Sequence, residues 1–330
     1  MQRTASPAWT LSDGHAGNVR QAQALARALG LVETRDITLE SHAPWRWLAP
    51  RRTPFDTHAF GPGFPSMLQA PPQLAIGCGR QAALATRMLR GRDVDGVTRT
   101  RVIQILDPRI DPAHWDLVVA PEHDGLTGDN VITLLGSLHP VDDAWLAAGR
   151  TEFAYLAALP SPRIALLIGG PSAHWQVDAS QMQNWFSEVA DAARASGGSV
   201  LATTSRRTPQ AVADVLHHAL HDVPHIAWTS TADGPNPYAG LLAHADRIVC
   251  TSDSVNMLSE ACATRAPVCV LGIDRLLGRP RHFVDALLQR HRVTRFEPGP
   301  LPFAHGVEIE PLRETPRIAA LIRSRLESNA

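Results

Sequence analysis

The chain has 330 residues, 44% apolar and 19% charged, with a formal charge of −1 and no lysine, so all 31 of its basic residues are arginine. These values describe a soluble globular protein of about two domains and give no bulk electrostatic case for nucleic acid. The missing lysine excludes a Walker A loop, a kinase strand lysine and Schiff-base chemistry, PLP included.

Short apolar runs alternate with amphipathic stretches, the pattern of an α/β sheet. In chain order, Pro7 to Leu11 is predicted as a strand and Ser12 to Gly17 as a polar loop. Gln21 to Leu29 is predicted as a helix closed by Gly30, and Thr34 to Leu39 as a strand. Residues 42–72, rich in Pro, Gly, Trp and Phe, read as an irregular excursion. Strands follow at 73–77, 101–106, 116–120 and 131–135, with helices at 80–90 and 141–159. Pro160-Ser161-Pro162 reads as a linker, because proline disfavours helix in the residue before it. A second series follows. It has strands at 163–168, 199–203, 225–229, 247–250 and 267–271, and helices at 180–195, 209–220, 238–244, 255–264 and 283–289. A last amphipathic segment covers 314–326.

The expected architecture is two Rossmann-like domains facing a cleft: 1–158, 163–305, and a terminal segment 306–330 that returns to the first domain. Cys78, Cys250, Cys262 and Cys269 sit singly in apolar segments and form no C-x-x-C, so buried reduced thiols in a cytoplasmic protein are expected. No secretory h-region and no apolar run of about 18 residues is present.

In open α/β sheets ligands bind beyond the carboxyl ends of the strands, so the loops there carry the functional candidates. In Ser12-Asp13-Gly14-His15-Ala16-Gly17-Asn18, Gly14 and Gly17 allow close backbone approach, and Asp13 or His15 is a candidate general base. The alternative is a tight turn in which Asp13 binds backbone amides. Gly77-Cys78-Gly79-Arg80-Gln81-Ala82 is formally a dinucleotide G-x-G-x-x-A, but its acidic partner, Asp107, falls 28 positions after Gly79, later than the usual ~20, and the strand is not the first. A glycine turn that aims Arg80 into the cleft is the preferred reading. Glu122-His123-Asp124 places three ionisable side chains after a strand, either lining a cleft or solvated; adjacent residues diverge, so at most two of them share an ion.

Gly169-Gly170-Pro171-Ser172 is a candidate phosphate turn, and Ser205 with Arg206 a candidate diphosphate clamp ahead of a helix. Asp253, Ser254, Met257 and Glu260 cluster at a helix start, where a glutamate offers two acceptor oxygens to a ribose diol. Each has a plain alternative: a capped helix with solvated charges.

The runs Asn236-Pro237-Tyr238, Ala245-Asp246, Thr251 to Ala261 and Ala266-Pro267-Val268 resemble the bacterial relatives of the plant mitochondrial-fission ELM family. So do Ser12-Asp13-Gly14 with Gly17 and Gln21, Gly79-Arg80, Pro121 to Asp124 and Thr204 to Pro209. The resemblance covers nearly the whole chain. Members are labelled nucleoside-diphosphate-sugar epimerases or GT-B-type glycosyltransferases. A short-chain-dehydrogenase epimerase needs a Tyr-x-x-x-Lys pair, which a chain without lysine lacks.

The resemblance therefore implies a GT-B-like fold and an inverting glycosyltransferase using a nucleotide-activated sugar, UDP-linked, with no essential cofactor or metal. It implies a base at Asp13, which matches the motif, with His15 and His123 as candidates by their own chemistry, and an acceptor side at Gly14, Gly17, Arg80, Glu122 and Asp124. It implies a donor site at Gly169, Gly170, Ser172, Ser205, Arg206, Asp253, Ser254, Met257 and Glu260. A non-catalytic nucleotide-sugar binder or scaffold is the alternative, and an NAD enzyme a weaker one.

Residues 45–64 interleave Trp45, Trp47, Phe55, Phe60 and Phe64 with Arg46, Arg51 and Arg52. That mixture suits a headgroup interface at the inner face of a membrane, where a lipid-linked acceptor would enter, or else a small satellite core under the loop.

Overall fold

A computed structural model describes residues 8–297, 299 and 309–328. Pro7 and part of the segment 298–308 lie outside the described residues, as do the last two. The chain divides into two compact units, Met1–Pro140 with Glu314–Ala330, and Val141–Arg313. Each is a Rossmann-like α/β domain built on a six-stranded parallel sheet.

In the first unit the strands are β1 (Ala8–Ser12), β2 (Thr34–Thr38), β3 (Leu74–Cys78), β4 (Arg101–Ile105), β5 (Leu117–Pro121) and β6 (Val131–Leu134), in sheet order β2-β1-β3-β4-β5-β6. Its helices are α1 (Ala16–Ala28), α2 (Trp45–Leu48), α3 (Phe64–Met67) and α4 (Arg80–Leu89). The central strands are buried on both faces, as parallel strands covered by helices must be. One face packs Ala22 and Leu25 of α1, together with Ile318 and Ile322 near the C-terminus, onto Ile76, Ile103 and Val119. The other packs α4 and the 45–68 excursion onto Trp9, Leu11, Ala75 and Val118.

In the second unit the strands are β7 (Arg163–Ile168), β8 (Ser199–Thr204), β9 (His225–Trp228), β10 (Arg247–Thr251), β11 (Val268–Leu271) and β12 (Thr294–Arg295), in order β12-β11-β10-β7-β8-β9. The helices are α5 (Asp143–Glu152), α6 (Ala179–Ala195), α7 (Gln210–Leu220), α8 (Tyr238–His244), α9 (Val255–Cys262) and α10 (Arg279–Gln289). Helix α11 (Glu314–Ser328) belongs to the first unit, where the Glu314 carboxylate accepts from Leu135 N–H and the Thr315 hydroxyl donates to His139 O.

The expected boundary near 158–163 is corrected. The break lies at Pro140, because α5 and the turn after it pack closely on α8: a Cβ at Gly149 would stand 2.8 Å from Ala239 O, and one at Gly240 would stand 2.4 Å from Cβ of Phe153, just past α5. Those two glycines put α5 with the second unit, ahead of the proline pair. The expected helix 141–159 ends as a helix at Glu152 and continues as a 3-10 turn, Ala154–Ala158. Helix α1 starts five residues before the expected Gln21, since Gly17 is tolerated in its first turn. Gly30 does take a left-handed φ of 77° just past its end. All four cysteines are free and buried.

Candidate functional site

In the second unit the loops after β10, β7 and β8 are consecutive at the carboxyl ends of the strands, so the sheet order alone gathers Thr251–Ser254, Gly169–Ser172 and Ser205–Thr208. Asp253 knits them together. Its side chain is wholly buried; it accepts from Gly170 N–H at 2.9 Å and from the Thr251 hydroxyl at 2.7 Å, with Arg207 Nη2 3.7 Å away. Burial pushes its carboxyl above the ordinary carboxylate range, against the pull of Thr251, Gly170 and Arg207. Gly169 N–H donates to Thr251 Oγ1 (2.8 Å), and the Thr208 hydroxyl donates to Gly169 O (2.6 Å).

The glycines are there for space. A Cβ on Gly169 would lie 2.1 Å from Asp253 Oδ2, and one on Gly170 would lie 2.7 Å from the Arg207 backbone. The expectation that these two amides are open to a phosphate is therefore corrected: Thr251 and Asp253 already accept from both. Ser172 is likewise committed to its own turn, where its Oγ accepts from His174 N–H (3.2 Å). Ser205 closes another, its Oγ accepting from Arg207 N–H (3.2 Å).

Glu260 is 2% exposed, and its Oε2 accepts from the Tyr238 hydroxyl at 2.5 Å. A carboxylate so enclosed does not present both oxygens to a diol while Tyr238 stays in place. What remains open is the half-buried start of α9, Ser254 to Met257, and the exposed Arg206. Ser254 caps that helix by accepting from Met257 N–H (3.3 Å). Arg206 makes no ion pair or hydrogen bond among the described residues.

In the first unit the loop after β1 meets the turn after β3, its neighbour in the sheet. Gly14 has φ 77°, a left-handed conformation that lets the chain reverse into α1. Asp13 Oδ1 accepts from His15 N–H (3.1 Å) and from Asn18 Nδ2 (2.9 Å), and lies 3.0 Å from His15 Nδ1. The His15 ring beside it is exposed. Asn18 Nδ2 covers Gly79, where a Cβ would be 2.7 Å from it, so the approach a dinucleotide phosphate needs is filled. The Cys78 thiol beside this cluster is pushed well up by burial and by Asp13.

Arg80 is exposed, and its Nη2 donates to Arg46 O (2.8 Å). Glu122, His123 and Asp124 form a 3-10 turn after β5. That strand is three places from β1 in the sheet, about 14 Å at the usual strand spacing. The structure thus separates His123 from Asp13 and His15. Arg109, with φ 63°, lies 3.2 Å from Asp107 and 3.8 Å from Asp124, whose pKa burial raises. Among the described residues no group of three or more His, Cys, Asp and Glu is placed to hold a metal ion, and no helix is long and apolar enough to cross a membrane.

Thr251, Arg207 and Thr208, which hold the glycine turn, and Asn18, which covers Gly79, stand in loops the sequence singled out, but their framework roles were not read from it, and Arg109 was missed. Thr208 reaches Gly169 and Asn18 reaches Gly79 across long stretches of sequence, whereas Arg109 pairs with Asp107 two residues away.

Among solved structures, S. aureus MnaA in its co-structure with UDP is 13% identical with a TM-score of 0.53, covering 97% of both chains. Rickettsia bellii UDP-N-acetylglucosamine 2-epimerase is 13% identical with a TM-score of 0.53, covering 98% of this chain and 96% of that one. They share the GT-B-like fold of two Rossmann-like domains. The lysine argument bears on the Tyr-x-x-x-Lys class of epimerase alone. Among curated proteins, Mitochondrial fission protein ELM1 of Arabidopsis thaliana is 31% identical over 282 residues, 77% of this chain. The match spans 64% of that relative's length. The family described as Mitochondrial fission ELM1 matches residues 16–326, nearly the whole chain, and the chain belongs to that family.

Proposed function

We propose that the second unit binds a nucleotide-activated sugar, UDP-linked, and that the chain transfers the sugar with inversion to an acceptor, lipid-linked in the reading we favour. The observation that carries this is the half-buried start of α9, Ser254 to Met257, gathered with an exposed Arg206, unpaired among the described residues, at the carboxyl ends of three consecutive parallel strands. Free N–H groups and the positive end of a helix suit a diphosphate, and an arginine fork adds charge-assisted bonds. Together they would stabilise the departing diphosphate without an essential metal. In the first unit Asp13 and the exposed His15 beside it are the candidates for the general base. Glu260 and Asp253 serve as framework.

A second reading, a binder without turnover, is favoured by one observation: the Gly169, Gly170 and Glu260 groups expected to touch a donor are bonded within the fold. The NAD reading is disfavoured by Asn18 over Gly79.

Thermal-shift screening against UDP, GDP, CMP, NAD and their sugars tests the proposal. A ligand at about a thousandfold its Kd adds about 4 kcal/mol. Uridine nucleotides are expected to stabilise the protein, and Arg206→Ala to weaken them about tenfold or more. Asp13→Ala and His15→Ala are expected to leave UDP affinity intact and remove transfer. Binding without transfer in the unaltered chain supports the second reading. A shift by NAD alone, or none by any nucleotide, overturns both.

A further inference from the structure

We propose that the loop 42–59 of the first unit docks on an anionic lipid bilayer, with Trp47 and Phe55 inserting at the headgroup level and Arg46 and Arg51 meeting the lipid charge. The loop is closed: His42 N–H donates to Ala59 O at 2.9 Å. Its inner side is held from α4, where Arg80 and Gln81 donate to Arg46 O (2.8 and 3.0 Å) and Arg87 donates to Pro50 O (2.6 Å). Trp45, Ala49, Phe60 and Phe64 pack into the core on that side, so the sequence had apolar partners to offer.

Trp47 and Phe55 are nevertheless 62% and 79% exposed, and Leu48 is exposed beside Trp47. The Arg46 guanidinium stacks over the Trp47 ring, 5.5 Å from its centroid. Asp56 is the one acid between His42 and Ala59; it is buried and paired with Arg52. The loop therefore exposes aromatic and positive side chains, and its Arg46 and Pro50 carbonyls are bonded by side chains of α4. Rings at an interface with arginines beside them match an anionic headgroup layer, and no exposed acid of the loop opposes that charge. This inference stands apart from the donor reading: it uses neither Arg206 nor His15.

Vesicle co-flotation of the full chain tests it, with phosphatidylcholine vesicles and with vesicles containing about a third phosphatidylserine. The protein is expected on the anionic vesicles and to be released by salt. Replacing Arg46 and Arg51 by Gln is expected to weaken partition about 25-fold, from about fivefold per arginine. Trp47→Ala with Phe55→Ala is expected to abolish flotation with the far-UV CD spectrum unchanged, since both rings lie outside the core. In wild type, brominated lipid is expected to quench tryptophan emission, and in Trp47→Phe this quenching is lost. Equal recovery on neutral and anionic vesicles, no recovery on either, or recovery unaffected by these replacements would overturn the proposal. A protein partner captured through this loop in the absence of vesicle binding would overturn it too.

Discussion

Replacing Asp253 by Ala should destabilise the second unit while leaving the first intact. The side chain is wholly buried and is the acceptor for Gly170 N–H and the Thr251 hydroxyl. Its removal strands both donors, at about 1–3 kcal/mol each. Relief from burying a carboxylate offsets part of this, which leaves about 2–4 kcal/mol. Urea unfolding followed by tryptophan fluorescence reads the effect; with a slope of about 2 kcal/mol per M, the midpoint of the second unit should fall by about 1–2 M.

A pH series adds the sign. Burial raises the folded pKa of Asp253 above its ordinary 3.8. The folded chain thus holds this proton more tightly than the unfolded one. The stability it contributes is complete below about 3.8 and declines as pH rises through the raised folded value. Asp253→Asn removes that titration, so wild-type stability relative to the Asn variant should fall as pH rises from 4 towards neutrality. A midpoint for Asp253→Ala within about 0.2 M of wild type would refute the role of the carboxylate in holding the turn. A wild-type advantage over Asn that grows with pH would show that Thr251, Gly170 and Arg207 outweigh burial.

Two further perturbations test the framework. Arg292 is 9% exposed and donates to Cys262 O (3.0 Å) and Thr264 O (2.8 Å) at the carboxyl end of α9. Arg292→Met should therefore cost about 2–4 kcal/mol in the urea midpoint of the second unit, and an unchanged midpoint would mean that water replaces the guanidinium there. Gly14 and Gly30 share φ 77°, but a Cβ at Gly14 meets Thr38 Cγ2 at 3.1 Å and one at Gly30 meets nothing within 4 Å. Gly30→Ala should cost about 1 kcal/mol from conformation alone and Gly14→Ala more, compared by melting temperature; equal losses would show that Thr38 moves aside freely.

The local pattern determined where most strands and helices lie, because period-2 and period-3.6 apolar spacing is written within a few consecutive residues. The strand at 163–168 and the helix at 238–244 were legible to the residue. The two-residue β12 was not, being too short to show a period. The polar loops after the strands were legible too, and with them most of the candidate residues.

Which of those residues meet was decided by tertiary structure. Sheet order sets Asp13 against Gly79, 66 residues on, and keeps His123 three strands away. Asp253 fills the Gly169-Gly170 turn across more than 80 residues, and Tyr238 reaches Glu260 across 22, so groups that read as ligand contacts are spent on holding loops together. The place where the chain divides was likewise hidden, since Gly149 and Gly240 join α5 to α8 by close packing that a proline pair farther along does not reveal. Periodicity reports which face of an element is apolar; the partner on that face, and whether a polar side chain faces solvent or another loop, depends on pairings between residues far apart in the chain.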